Sequence, residues 1–209
     1  MSWHWVRLFV IAGLYVLLLG GGTALAAIME PDAGIRVTVP DDWEKTHSSY
    51  AATNTEVTRI FDCTSEDAAQ LKYLGWKTTS DGQVAAAFCI SYQKSGIGKM
   101  RTLLQNSKGK ERDTIAAKFL DAFAGKLKSE YMKRKMSVAD LSADLLEVGD
   151  GFVLVMDGKI VDGTTTRVNS STVFLQDDAL LRISFVYDES VAAAVVEQLD
   201  AIPLSVIWK

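Results

Sequence analysis

Residues 179–209 constrain the fold more than any other stretch, because their hydrophobic period changes once and then changes back. In Leu180-Leu181-Arg182-Ile183-Ser184-Phe185-Val186-Tyr187, the side chains of Leu181, Ile183, Phe185 and Tyr187 share one face at the strand period of two. Leu180, Arg182, Ser184 and Val186 share the other. Val191, Val195, Leu199 and Ile202 then recur at helical spacing, and Pro203 is expected to end that helix. Residues 204–208 follow as a short closing strand. A buried strand feeding a helix that lies back across it needs further strands beside it. The expectation is an α+β fold, an antiparallel sheet flanked by helices in an α/β/α sandwich.

Upstream signals agree. Ile35, Val37 and Val39 alternate with Arg36 and Thr38 and stop at Pro40, which cannot donate to a ladder. Trp43 is expected to fold back as a lid on the core. Residues 27–34 read as an irregular lead-in, 46–55 as a loop, 56–63 as a strand with a helix as the alternative, and 65–74 as a short helix capped by Gly75. Asp81-Gly82 is a hairpin signal into 84–92, where Val84, Ala86, Phe88, Ile90 and Tyr92 share a face. The opposite face, Ala85, Ala87, Cys89 and Ser91, carries only small side chains, so something must approach it closely. The longest helix is expected over 112–132, with Ile115, Phe119, Phe123, Leu127 and Tyr131 as its apolar stripe. An antiparallel meander over 143–148, 152–156, 159–161, 164–175 and 180–187 completes the pattern, punctuated by Asp-Gly pairs.

The N-terminus reads as a targeting segment. One basic side chain, Arg7, precedes the uninterrupted apolar run 8–19, Gly20-Gly21-Gly22 breaks it, and Ala24-Leu25-Ala26 supplies a small-x-small end. Cleavage after Ala26 is expected, leaving one exported domain over 27–209, periplasmic or secreted. The alternative is an uncleaved anchor, since 8–29 carries no charge and could span the ~30 Å of a bilayer core. Three consecutive glycines weaken such a helix.

Cys63 and Cys89 both lie in the exported part, where disulfides form, and a bond between them is expected. Two buried free thiols are the alternative. With His47 as the one exported histidine, the chain cannot complete a zinc site, and neither metal nor cofactor is expected. Ser95-Gly96-Ile97-Gly98-Lys99 lacks the earlier glycine and the following Ser/Thr of a phosphate loop. There is no G-x-S-x-G elbow either, and the chain is read as non-enzymatic. A hydrolase using scattered carboxylates is the remote alternative. Asn169-Ser170-Ser171 fits a glycosylation acceptor, which matters in a eukaryotic secretory pathway.

Charge is segregated. Residues 94–135 hold twelve Lys or Arg against four acids, whereas 136–209 hold four against twelve. A chain of net charge −4 thus concentrates positive charge in one helix and its approach, with Lys99, Arg101, Lys126, Lys128, Lys133, Arg134 and Lys135 as the candidate binding surface. The partner expected is an envelope protein or an anionic lipid surface. Nucleic acid is excluded by the exported compartment and by the lack of interleaved aromatic stacking platforms. A small-molecule or lipid carrier with a cavity between sheet and helix is the alternative. Oligomeric state is open.

The order of elements resembles the PsbP-like family. The residues carrying the likeness are Ile35-Arg36-Val37-Thr38-Val39-Pro40-Asp41-Asp42-Trp43, the long helix before a meander, and the closing Leu181-Arg182-Ile183-Ser184-Phe185 with its helix and Leu204-Ser205-Val206-Ile207-Trp208. The resemblance implies a small antiparallel sheet with helices on both faces that acts by binding, as an extrinsic subunit, assembly factor or chaperone-like module. It implies no catalytic residues.

Overall fold

The computed structural model describes residues 26–47, 55–61, 70–94, 98–148, 151–176 and 179–208. In chain order the elements are β1 (Ala26–Met29), β2 (Ile35–Pro40), β3 (Glu44–His47), α1 (Thr55–Phe61), β4 (Leu71–Thr78), β5 (Val84–Lys94), α2 (Gly98–Asn106) and α3 (Lys110–Lys133). There follow β6 (Ser137–Val148), β7 (Gly151–Asp162), β8 (Thr165–Gln176), β9 (Ala179–Asp188), α4 (Ala193–Leu204) and β10 (Ile207–Trp208). A seven-stranded antiparallel sheet has the order β3-β4-β5-β9-β8-β7-β6, and a small sheet β1-β2-β10 packs on one face of it.

The strand alternation in β9 sorts the core into two layers. Leu181, Ile183 and Phe185 pack with Ala86, Phe88 and Ile90 of β5 against β2, Trp43 and the Leu199 and Ile202 stripe of α4. Leu180 and Val186 face the other way, where Leu154, Met156, Val173 and Leu175 meet Phe119, Leu127 and Tyr131 of α3. Beside that layer, Val57 of α1 sits over Leu74, Trp76, Ala87 and Cys89. The α+β sandwich expected from the period switch is therefore what forms. Trp43 is buried as a lid, and its indole Nε1 donates to Gln198 Oε1 at 2.9 Å.

Several local expectations are corrected. Residues 26–29 form a strand paired with β2, rather than an irregular lead-in. Of the two readings of 56–63 the helix is the one that forms, as α1 through Phe61, because the side chains it buries, Val57 and Ile60, are three apart; residues 62 and 63 lie outside the described residues. Of the helix expected over 65–74, residues 65–69 lie outside the described residues and Leu71 onward is strand β4; Gly75 is no helix cap, since a Cβ there would meet Phe88 Cε1 at 2.3 Å and the ring occupies the missing side chain's place. Asp157-Gly158 does not turn; it pairs with Ser170 and Asn169 inside one continuous β7. Gly158 instead admits the neighbouring bulge of the edge strand β6, where Asp140 has φ 51° and Ala139 O lies 3.2 Å from where a Cβ would be. The Asp-Gly turns at 81–82 and 162–163 do form, with Gly82 at φ 83° and Gly163 at φ 60°. Pro203 falls inside the last turn of α4, where the helix ends one residue later than expected. Residues 1–25 of the expected leader lie outside the described residues, and β1 begins at Ala26. Among the described residues no helix is long and apolar enough to cross a membrane.

Candidate functional site

Helix α3 is attached along a narrow stripe. Of its 24 residues only Phe119, Leu127 and Tyr131 are buried, so its flanks stand clear of the sheet. Beneath its C-terminal half, β5 presents Cys89 and Ser91 where larger side chains would fill the space. The result is a cleft of about 300 Å³. Leu71, Leu180 and Arg182 complete its floor with Cys89 and Ser91, and Phe123, Leu127, Glu130 and Arg134 form the wall. Lys126 and Lys133 stand at the rim. The small face of β5 is thus covered by α1 over Ala87 and Cys89 and left open between α1 and α3, where Ile60 and Phe61 also line the cleft.

Four cations and one carboxylate line this space, which leaves an excess of three positive charges. Glu130 stands between two of them, 3.8 Å from Lys126 Nζ and 3.9 Å from Arg182 Nη1, both beyond hydrogen-bond length. Arg182 is held from below: its Nε donates to Ser184 Oγ at 2.8 Å, and Ser184 Oγ lies 2.7 Å from Ser171 Oγ on the next strand. Arg134 is committed to the fold. Its Nε donates to Glu130 O at 3.0 Å, its Nη1 to Ile60 O, and its guanidinium lies 4.5 Å from the Tyr131 ring centroid. A cation at the last turn of α3 also complements the helix dipole.

Under the cleft the polar groups are buried and neutral. Burial pushes the Tyr131 phenol up to about 12, and its hydroxyl donates to Asn169 Oδ1 at 3.3 Å. Burial also raises the Cys89 thiol above its ordinary value, against the opposing pull of Arg182. A thiol so held is a poor nucleophile.

The candidate basic surface is divided by the fold. Lys126, Lys133 and Arg134 line the cleft, while Lys99 and Arg101 lie on α2 away from it. Lys128 is exposed two residues on from Lys126, about 200° around the helix, and Lys135 is exposed beyond its end. Arg182, the cation at the cleft floor, is a residue that charge counting along 94–135 could not reach. The expected Cys63–Cys89 bond is corrected as well: Cys89 is a free thiol facing the cleft floor, beside Ser184, and Cys63 lies outside the described residues. Asn169 is fully buried in β8, so the acceptor pattern there offers no accessible amide.

At the far end of the sheet several carboxylates gather, and Glu56, Asp162 and Asp188 are each paired. Arg167 binds Glu56 and, at 2.8 Å, Asp188; Arg59 binds Asp162 at 2.5 Å. These pairs clamp α1 to the ends of β7, β8 and β9. Among the described residues no cluster could hold a metal ion.

No family model matches the sequence, and neither does any curated protein. In three dimensions the chain is similar to cyanobacterial PsbP from Synechocystis sp. PCC 6803, with a TM-score of 0.56 over 91% of this chain and 99% of that one, at 10% identity. A Bacteroides thetaiotaomicron protein matches at TM-score 0.45 and 14% identity over 88% of this chain and 48% of its own. A Pseudomonas aeruginosa protein of unknown function matches at 0.40 and 9% identity over 88% and 97%. The fold of this chain is PsbP-like.

Proposed function

We propose that the chain is an exported, non-enzymatic binding module that recognises an anionic group in the cleft beneath α3. The observation that carries this reading is the convergence of Lys126, Lys133 and Arg134 from the helix and Arg182 from β9 around one concave space with a single acid. Such a site attracts and orients a negative charge. It offers no catalytic pair, since the Cys89 thiol and Tyr131 phenol are held protonated by burial. Lys99, Arg101, Lys128 and Lys135 lie outside the cleft and act at longer range, raising the rate of encounter with an acidic partner at the envelope. Export rests on the N-terminal order of charge, apolar run and small-x-small end.

Calorimetric titration of the purified protein with an oligo-glutamate peptide tests the reading. Binding should weaken as salt rises and disappear in the Lys126→Glu/Lys133→Glu double variant, with its circular dichroism unchanged. Undetectable binding by the native protein, or equal binding by the variant, would overturn it.

A further inference from the structure

The cleft is only half electrostatic. Its apolar surface comes from Leu71, Phe123, Leu127 and Leu180, which lie alongside the cations, so a bare anion would leave that surface wet. Its volume of about 300 Å³ is at the low end for ligand pockets, which suits a small amphiphile of roughly ten non-hydrogen atoms. The charged end is also specified. Arg182 and Glu130 keep only 23% and 20% of their side-chain surface exposed, so both are sunk into the protein rather than lying on it. One of the five N–H donors of Arg182 is used on Ser184, and among the described residues no carboxylate is within hydrogen-bond length of its outer nitrogens. A planar guanidinium oriented from below, with its outer edge toward the cleft, matches a carboxylate in geometry and charge.

We propose that the occupant is a medium-chain carboxylate of about eight carbons, its headgroup on Arg182 and Lys126 and its chain along Leu71, Phe123, Leu127 and Leu180. This rests on the reading of the cleft as an anion-binding site. The open mouth beside Lys133 allows a longer chain to protrude, while a chain of two carbons reaches none of the apolar wall.

The test is calorimetric titration of the purified protein with octanoate, octanol, octylamine and acetate. Octanoate should bind saturably at one site, with octanol and acetate each at least about tenfold weaker and octylamine undetectable. Arg182→Gln should weaken octanoate by about tenfold or more while leaving octanol unchanged. Ser91→Leu, which places an apolar side chain at the half-buried end of the cleft floor, should abolish octanoate binding while circular dichroism and the melting temperature are retained, so that loss of binding is not loss of fold. Equal affinities for octanoate and octanol, or for octanoate and acetate, would overturn the proposal. So would octanoate binding that survives both variants. If octanoate fails to bind while oligo-glutamate binds, this inference falls and the anion-binding reading stands; if neither binds, both fall.

Discussion

Arg182 and Ser184, two positions apart on the same face of β9, are joined side chain to side chain, Nε to Oγ at 2.8 Å, and Ser184 in turn contacts Ser171 of β8 at 2.7 Å. A row of small polar residues across a buried sheet face thereby fixes the one strand-borne cation of the cleft. Ser171 and Ser184 are both buried, so each hydroxyl depends on the others for its partner.

Replacing Ser184 by alanine should therefore cost about 1–3 kcal/mol, because it strands both the Ser171 hydroxyl and the Arg182 Nε. Adding Ser171→Ala should cost less than its own single effect, since the group it removes has already lost its partner. Urea unfolding of the two single variants and the double variant measures that coupling. Strict additivity would show that the serines act independently.

Gly75→Ala should destabilise by about 1–3 kcal/mol through overpacking, because its Cβ would lie 2.3 Å from a ring carbon of Phe88. That ring cannot easily retreat: it is fully buried, with the Trp43 ring centroid 5.5 Å away. In a Phe88→Leu background the same substitution should cost markedly less. Thermal unfolding of the four proteins checks this.

Alkaline stability should track Tyr131. Its folded value of about 12 stands above the ordinary 10.0, so its contribution is complete below pH 10 and is lost as pH rises from 10 toward 12, where the unfolded phenol ionises first. Tyr131→Phe should therefore lose about 1 kcal/mol at neutral pH with its hydrogen bond to Asn169, yet show a shallower decline across that alkaline window. Denaturant titrations at a series of pH values separate the two effects.

Glu130→Gln should tighten anion binding several-fold, since it removes the single negative charge among the cleft's lining residues, 3.9 Å from Arg182. The same change should leave folding stability within about 1 kcal/mol, because its two ion pairs, at 3.8 and 3.9 Å, are both beyond hydrogen-bond length and Gln keeps the side chain's size. Calorimetry with oligo-glutamate against the variant and the native protein gives the comparison.

The period switch at residues 179–209 and the stripe Phe119, Leu127, Tyr131 were legible because periodicity reports which faces are buried. Where sequence reasoning failed, tertiary contact overrode local signals. Gly75 reads as a helix cap until Phe88 is seen in its place, and Asp157-Gly158 reads as a turn until the bulge of β6 is packed on it. The cleft was half visible. The small face of β5 announced a close approach, and Lys126 and Lys133 lay in the basic segment, but Arg182 reads as an ordinary polar position on a strand. Only the register Ser91↔Arg182, a pairing distant in sequence, brings it beneath α3.

The most direct test of the anion-binding cleft is amide chemical-shift mapping of the protein during titration with oligo-glutamate. Saturable shifts centred on Cys89, Ser91, Leu127, Glu130, Leu180 and Arg182 are the predicted result. Shifts confined to the outward side of α3 around Lys118 and Lys128, or none at all, would contradict it.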